Sequence, residues 1–132
     1  EMSPHFVLIE GVLYDRDMTR ILWCSPEKSG SYEMPNTVRT IDYGALNSHP
    51  ELTSVTLSNS IMEIEEWAFS GCTGLESITI PDSVTAIGDF AFENCGSLTS
   101  VTIPNSVTYR HARFWRMFQF GDSSDSSLAE GD

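Results

Sequence analysis

The chain has 132 residues, of which 40% are hydrophobic and 11% aromatic, so it predicts one folded domain and not a disordered segment. Its formal net charge is −12, from 7 basic and 19 acidic residues. That balance argues against nucleic-acid binding and against adsorption to anionic lipid, because both need clustered Lys and Arg. No segment reaches the roughly 20 apolar residues that span a bilayer, so no membrane insertion is predicted.

The N-terminal segment, residues 1–28, is predicted to fold as a small β-meander. Two apolar runs, Phe6–Ile9 and Val12–Tyr14, flank a Glu10-Gly11 turn, and a further turn leads into Thr19–Trp23. We expect this meander to cap the apolar end of the segment that follows, because that segment is built from repeats.

A repeat of 23 residues runs through the middle of the chain. Leu52, Leu75 and Leu98 are 23 residues apart, and the first 11 residues of the last two units agree at eight positions. One period upstream the pattern is weaker but keeps its phase. The sequence therefore predicts about three and a half units, which are 29–51, 52–74, 75–97 and a partial unit 98–108.

Each unit predicts three short elements, as the third one illustrates. Ser77-Ile78-Thr79-Ile80 alternates polar and apolar side chains like a half-buried strand, and Pro81 ends it. Val84 and Ile87 predict a second short strand or extended turn. Phe90-Ala91-Phe92 predicts one helical or 3₁₀ turn before the chain returns to the next leucine.

A single unit cannot fold alone, because the apolar area that it buries does not offset the entropy lost by 23 backbones. Neighbouring coils must cover its two open sides and supply hydrogen bonds between strands. The predicted fold class is therefore a mainly β solenoid with short helical or 3₁₀ turns.

The repeat L-x-S-[VI]-T-[IL]-P-x-S-V-T-x-I-x-x-x-A-F-x-x-C resembles the BspA-type leucine-rich repeat family. The leader at residues 10–17, followed by Leu22 and a Ser25–Gly30 loop, is similar to the segment that precedes these repeats. The resemblance covers about residues 6–108. It implies a right-handed leucine-rich-repeat solenoid with adhesive or protein-binding roles in surface or secreted microbial proteins, and it implies no shared catalytic residues and no particular ligand.

Cys72 and Cys95 occupy one repeat phase, with His49 in the same phase one coil earlier. Side chains in one phase form a line with about 5 Å between coils, whereas zinc needs its ligands within about 2.0–2.3 Å of one centre, so no metal site is predicted. Buried free thiols are the favoured interpretation of the cysteines. A Cys72–Cys95 disulfide is the alternative, because the coil spacing overlaps the Cα separation of disulfides.

No arrangement of residues points to catalysis, and the sequence predicts neither an enzyme nor a cofactor. The chain lacks a G-x-S-x-G motif, and its histidines are scattered as His5, His49 and His111. The densest acidic cluster is Glu63, Glu65 and Glu66, interpreted as a solvated face rather than a site for a cation or a basic partner.

The repeat pattern is lost after Thr108. Residues 110–120 form a basic and aromatic block, and the chain from Gly121 is rich in Ser and Asp. Residues 109–132 are predicted to be an atypical C-terminal cap, because the aromatic side chains would cover the last coil. An irregular tail left by truncation or altered coding is the alternative.

The predicted function is a non-enzymatic protein-interaction or adhesion module with an unidentified protein partner, such as a host or matrix protein. The candidate binding residues are the outward positions of the strands, Ser54, Thr56, Ser77, Thr79, Ser100 and Thr102. A structural fragment of a longer array, without a ligand of its own, is the alternative. The resemblance implies a secreted or cell-surface location, although no signal peptide is visible at Glu1.

Overall fold

A computed structural model of the chain describes residues 5–108, and these contain short strands and turns but no helix. The strands are β1 (Phe6–Ile9), β2 (Val12–Asp15), β3 (Arg20–Cys24), β4 (Gly30–Glu33), β5 (Thr40–Ile41), β6 (Leu52–Thr56), β7 (Glu63–Ile64), β8 (Ser77–Thr79) and β9 (Ala86–Ile87). In this part of the chain, therefore, no helix is available that could cross a membrane.

The strands form two sheets that share one hydrophobic core. The six-stranded sheet has the order β1-β2-β3-β5-β7-β9, and the three-stranded sheet has the order β4-β6-β8. Each complete repeat contributes one strand to each sheet, and the strands of successive repeats pair in parallel. The register follows the period of the sequence, since Val55 pairs with Ile78 and Ile64 with Ile87, 23 residues on in each case.

The N-terminal meander continues the six-stranded sheet. Its strands β1, β2 and β3 pair antiparallel, and β3 then pairs in parallel with β5 of the first repeat. Glu10 and Gly11, with φ of 49° and 87°, form the two-residue turn between β1 and β2. Two positive φ values are what a hairpin turn of this length requires, because they match the twist of the strands. The meander thus extends the solenoid by backbone hydrogen bonds as well as by packing.

The phased apolar side chains form the core. Eight apolar or small residues of the repeat 52–74 are buried: Leu52, Val55, Leu57, Ile61, Ile64, Ala68, Phe69 and Cys72. Their equivalents one repeat on are also buried, and the rings of Phe69 and Phe92 stack with centroids 5.3 Å apart. Phe69 therefore packs against its own counterpart in the next coil, and the equivalent residues of the two repeats belong to one continuous core.

The predicted helical turn is wrong within residues 5–108. Trp67 and Phe90 share a repeat phase with Gly44, and all three have left-handed backbones with φ between 61° and 65°. The N–H groups of Trp67 and Phe69 donate to carbonyl oxygens of the next coil, at 3.2 and 2.7 Å. Because alternate N–H groups are used between coils, the segment forms a series of turns and not a helix.

The predicted strand Ser100–Ile103 is also absent as a paired strand. Among the described residues it has a neighbouring strand on one side only, β8, which is itself shortened to three residues. The partial unit is still attached to the previous coil, because Thr108 N donates to Thr85 O at 3.1 Å and Ser106 Oγ donates to Val84 O at 2.7 Å.

Candidate functional site

The outer face of the three-stranded sheet carries two rows of small hydroxyl side chains. Ser54 is in register with Ser77, and Thr56 with Thr79, so like residues lie side by side across the strands. Ser54 is half-buried and donates a hydrogen bond to Ser31 Oγ at 3.1 Å, whereas the other three side chains are exposed. The face presents neutral hydroxyl groups on a chain whose net charge is −12.

Two adjoining depressions lie between the coils on this face. The first has a volume of about 370 Å³ and is lined by residues that include Ser54, Thr56, Ser77 and Thr79. The second, of about 320 Å³, shares Thr79 with the first and includes Ser100 and Thr102. The fold therefore brings all six predicted binding residues to one surface, although Ser100 and Thr102 do not belong to a paired strand.

The ring of His49 lies within hydrogen-bond distance of backbone carbonyl oxygens. His49 is buried, with Nδ1 2.9 Å from Leu46 O and Nε2 3.0 Å from Ser25 O. The ring thus joins the end of the meander to the first repeat, which accounts for its burial.

The two cysteines in the same repeat phase make equivalent contacts. Cys72 Sγ donates to Leu46 O at 3.0 Å and Cys95 Sγ donates to Phe69 O at 3.2 Å, and both side chains are fully buried. Both thiols are free in the structure. Burial raises the pKa of Cys72 to about 11 and that of Cys95 to about 12, which disfavours the reactive thiolate.

The possible metal ligands do not converge on a common centre in the described part of the chain. Residues 5–108 contain no group of three or more His, Cys, Asp or Glu side chains arranged to hold a metal ion. The phase that contains His49, Cys72 and Cys95 instead directs each side chain to a backbone carbonyl oxygen.

A third depression lies on the outer face of the six-stranded sheet and was not predicted from the sequence. It has a volume of about 330 Å³ and is lined by Tyr43, Glu63, Ile64, Glu65, Glu66, Ala86, Ile87 and Gly88. It contains the acidic cluster of the second repeat and the exposed ring of Tyr43, 65% accessible. We call it the acidic cleft. The sequence feature that could have indicated this depression is a change of residue size between repeats. Glu63 is followed one repeat later by Ala86, and Glu65 by Gly88.

The side chain of Arg20 forms ion pairs next to this cleft. Arg20 Nη2 lies 2.6 Å from Asp42 Oδ1 and 3.7 Å from Glu65 Oε2. Asp42 Oδ1 has no hydrogen-bond partner among residues 5–108, so its contact with the guanidinium is an ion pair without hydrogen-bond geometry. Asp42 and Glu65 are one repeat apart, and the next position in that phase is Gly88, in the acidic cleft.

Comparison with known proteins identifies the repeat. The profile described as "BspA type Leucine rich repeat region (6 copies)" matches residues 25–118, which is more than half of the chain. The chain belongs to this BspA-type leucine-rich repeat family. The match extends past Thr108, where the 23-residue pattern is lost, into the basic and aromatic block. A comparison with curated protein sequences found no significant match.

Solved structures of bacterial proteins, several of them described as leucine-rich repeat proteins, share the fold. A leucine-rich repeat protein from Bacteroides capillosus superposes with a TM-score of 0.75 at 22% identity, over 88% of this chain and 94% of that one. The pneumococcal vaccine antigen PcpA gives 0.72 at 21% identity, over 83% of this chain. A leucine rich cell surface protein from Faecalibacterium prausnitzii gives 0.59 at 24% identity, over 98% of this chain.

The chain matches only part of some of these proteins. It covers 33% of the length of PcpA and 43% of the Faecalibacterium protein. At these identities the likeness shows that the chain has the fold of a leucine-rich repeat solenoid. Proteins that share this BspA-like fold include a bacterial antigen and a protein of the cell surface.

Proposed function

We propose that the chain is a non-enzymatic protein-interaction or adhesion module that binds a partner through the outer face of its three-stranded sheet. The partner is a protein, such as a host or extracellular-matrix protein, and the chain acts outside the cell as part of a surface or secreted microbial protein. The location is supported by the resemblance to PcpA and to a cell surface protein.

The observation that carries the proposal is the pair of adjoining depressions lined by hydroxyl side chains. Thr79 lines both, so the two form one surface that extends across three coils. Small hydroxyl groups on parallel strands lose little side-chain entropy on binding and can both donate and accept hydrogen bonds. A protein partner could therefore lie along the array and repeat the same contact from coil to coil.

A structural fragment of a longer array is the second candidate. It is favoured by the share of PcpA that the chain covers, 33%, because coils of a longer solenoid stabilise their neighbours whether or not each one binds a ligand. On this proposal the hydroxyl rows would be neutral positions of the sheet without a ligand.

Binding to a panel of purified extracellular-matrix proteins distinguishes the two. The full chain and the variant with Thr56→Arg and Thr79→Arg are compared on each immobilised protein at physiological salt. The control variant carries Thr37→Arg and Thr73→Arg, which make the same change of charge at exposed positions away from the sheet face. Saturable binding that is lost in the first variant and kept in the control supports the interaction module. Equal binding by the full chain and both variants, or no binding by any of the three, contradicts it.

A further inference from the structure

The acidic cleft lies beside two small residues of the third repeat. Ala86 and Gly88 stand one period after Glu63 and Glu65, and the short side chain of Ala86 leaves space beside the longer side chains of the second coil. A Cβ atom at Gly88 would lie 2.5 Å from Glu66 N and 2.8 Å from Glu65 C, so only glycine fits there. The third coil is therefore in direct backbone contact with the second at Gly88, and this contact fixes the spacing of the two coils beside the cleft.

The lining of the cleft combines an apolar floor with acidic and aromatic groups. Ile64 and Ile87 contribute to the floor, and Glu63 and Glu66 are exposed at its wall. Neither of these two carboxylates has an ion-pair partner within the described residues. The exposed ring of Tyr43 completes the lining, and an aromatic face attracts a cation in addition to the carboxylates.

The neighbouring coil already holds the kind of group that would fit. Arg20 extends along the sheet from β3 and places its guanidinium against Asp42 and Glu65. One coil further, the position equivalent to Glu65 is Gly88, which has no carboxylate, so the acidic groups beside it are those of Glu63, Glu65 and Glu66. The ion pairs of Arg20 thus provide a template, within the same sheet, for a cation in the cleft.

We propose that the acidic cleft binds the arginine or lysine side chains of an extended basic segment of a partner protein. The occupant is argued from charge complementarity, since three glutamates line a cleft of about 330 Å³ on a chain of net charge −12. A volume of this size accommodates one or two long side chains, whose apolar stems pack on the floor while their charged ends reach the carboxylates. This surface lies on the six-stranded sheet and is separate from the hydroxyl face of the proposed function.

A peptide titration tests the proposal on the full chain. The probe is acetyl-Gly-Arg-Gly-Arg-Gly-amide, and its neutral counterpart carries citrulline in place of both arginines. Chemical-shift changes of backbone amides report the binding site and the Kd at low and at physiological salt. We expect the arginine peptide to shift amides around Ala86 and Gly88, with a Kd that rises with salt, and the citrulline peptide to leave them unchanged.

Matched variants separate the cleft from the overall charge. Glu63→Gln with Glu66→Gln is expected to weaken binding about fivefold, whereas Glu33→Gln with Glu76→Gln, exposed glutamates outside the cleft, should change it less than about twofold. Ala86→Leu, at an exposed position, should weaken binding by filling the space. An equal loss in both double variants would show a general effect of net charge and overturn the proposal.

The chain's own basic block is the competing occupant. If the unsubstituted chain does not bind the arginine peptide but a full chain with Arg110→Gln, Arg113→Gln and Arg116→Gln does, the cleft serves residues of the same molecule and the proposed partner is wrong. Absence of binding in both chains would also overturn the proposal. Thr56→Arg with Thr79→Arg should leave peptide binding intact, so a failure of the proposed function is distinguishable from a failure here.

Discussion

The buried hydroxyl groups of Ser58 and Ser83 differ in their hydrogen bonds. Ser58 is buried and donates to Val38 O at 2.6 Å, and its Oγ accepts a hydrogen bond from Ser60 N at 3.0 Å. Ser83 Oγ is buried too, but it has no hydrogen-bond partner within the described residues. A buried hydroxyl without a partner costs desolvation free energy, whereas a bonded one recovers it.

Alanine substitutions at these two serines should therefore have different effects. Ser58→Ala should lower the free energy of unfolding by about 1–2 kcal/mol, because it removes a hydrogen bond and leaves Val38 O unpaired. Ser83→Ala should be neutral or slightly stabilising. Urea unfolding followed by circular dichroism measures both, and an equal loss in the two variants would contradict the assignment of their partners.

The cysteine thiols should be unreactive in the native protein. Cys72 and Cys95 are fully buried and their pKa values are raised to about 11 and about 12, so little thiolate is present at neutral pH. We expect slow reaction with a thiol reagent in the native state and prompt reaction in urea. Thr73→Cys, at an exposed neighbouring position, is the matched control and should react promptly without urea. Detection of a Cys72–Cys95 linkage by mass spectrometry under non-reducing conditions would show a disulfide and contradict the assignment of free thiols.

At the scale of the strand, inward and outward side chains along β8 and the residue after it should respond differently to substitution. Ile80 is 6% exposed and belongs to the core, whereas Thr79 points to solvent. Ile80→Asp should unfold the array, because it buries an unpaired charge between two coils. Thr79→Ala should change the free energy of unfolding by well under 1 kcal/mol. Similar urea midpoints for the two variants would invalidate the register of this strand.

The strands could be predicted because polar and apolar residues alternate along them. Phe6–Ile9 has the same bounds in the sequence pattern and in the structure, and the polar and apolar alternation of Ser77–Thr79 matches its exposure. The turn at Trp67 was mispredicted because two aromatic residues around alanine resemble a helical face. The informative signal was Gly44 in the same phase, since glycine favours the left-handed backbone that all three positions adopt.

The two surfaces differed in what the sequence revealed. The hydroxyl rows follow directly from the strand phase, so their positions on one face could be predicted from Ser54 and Thr56 alone. The acidic cleft lies beside the two small residues of the third repeat, Ala86 and Gly88. A pattern shows the small residues, but the close approach of Gly88 to Glu66 N is a property of the packed coils.

At the scale of the whole molecule, burial declines towards the end of the described residues. Ile78, Ile80 and Val84 are buried, whereas their equivalents one repeat later, Val101, Ile103 and Val107, are only partly buried. A solenoid must cover the apolar side of its last coil, because an exposed patch of a few hundred Å² promotes association. The predicted C-terminal cap, residues 109–132, lies outside the described residues and remains a prediction.

Deletion of residues 109–132 tests the cap, with the melting temperature and the monomer fraction measured for both chains. The aromatic block at residues 114–120 is the nearest apolar segment in the sequence that could cover the last coil, and the family match extends into it. We therefore expect deletion to lower the melting temperature and to produce oligomers, since the partly buried Val101 and Ile103 would lose cover and self-associate. Substitution of Phe114, Trp115 and Phe118 by Ser in the full chain should reproduce the loss if the aromatic rings are responsible. An unchanged melting temperature and an unchanged monomer after deletion would contradict the cap and favour a fragment whose cover, in a longer array, comes from further repeats.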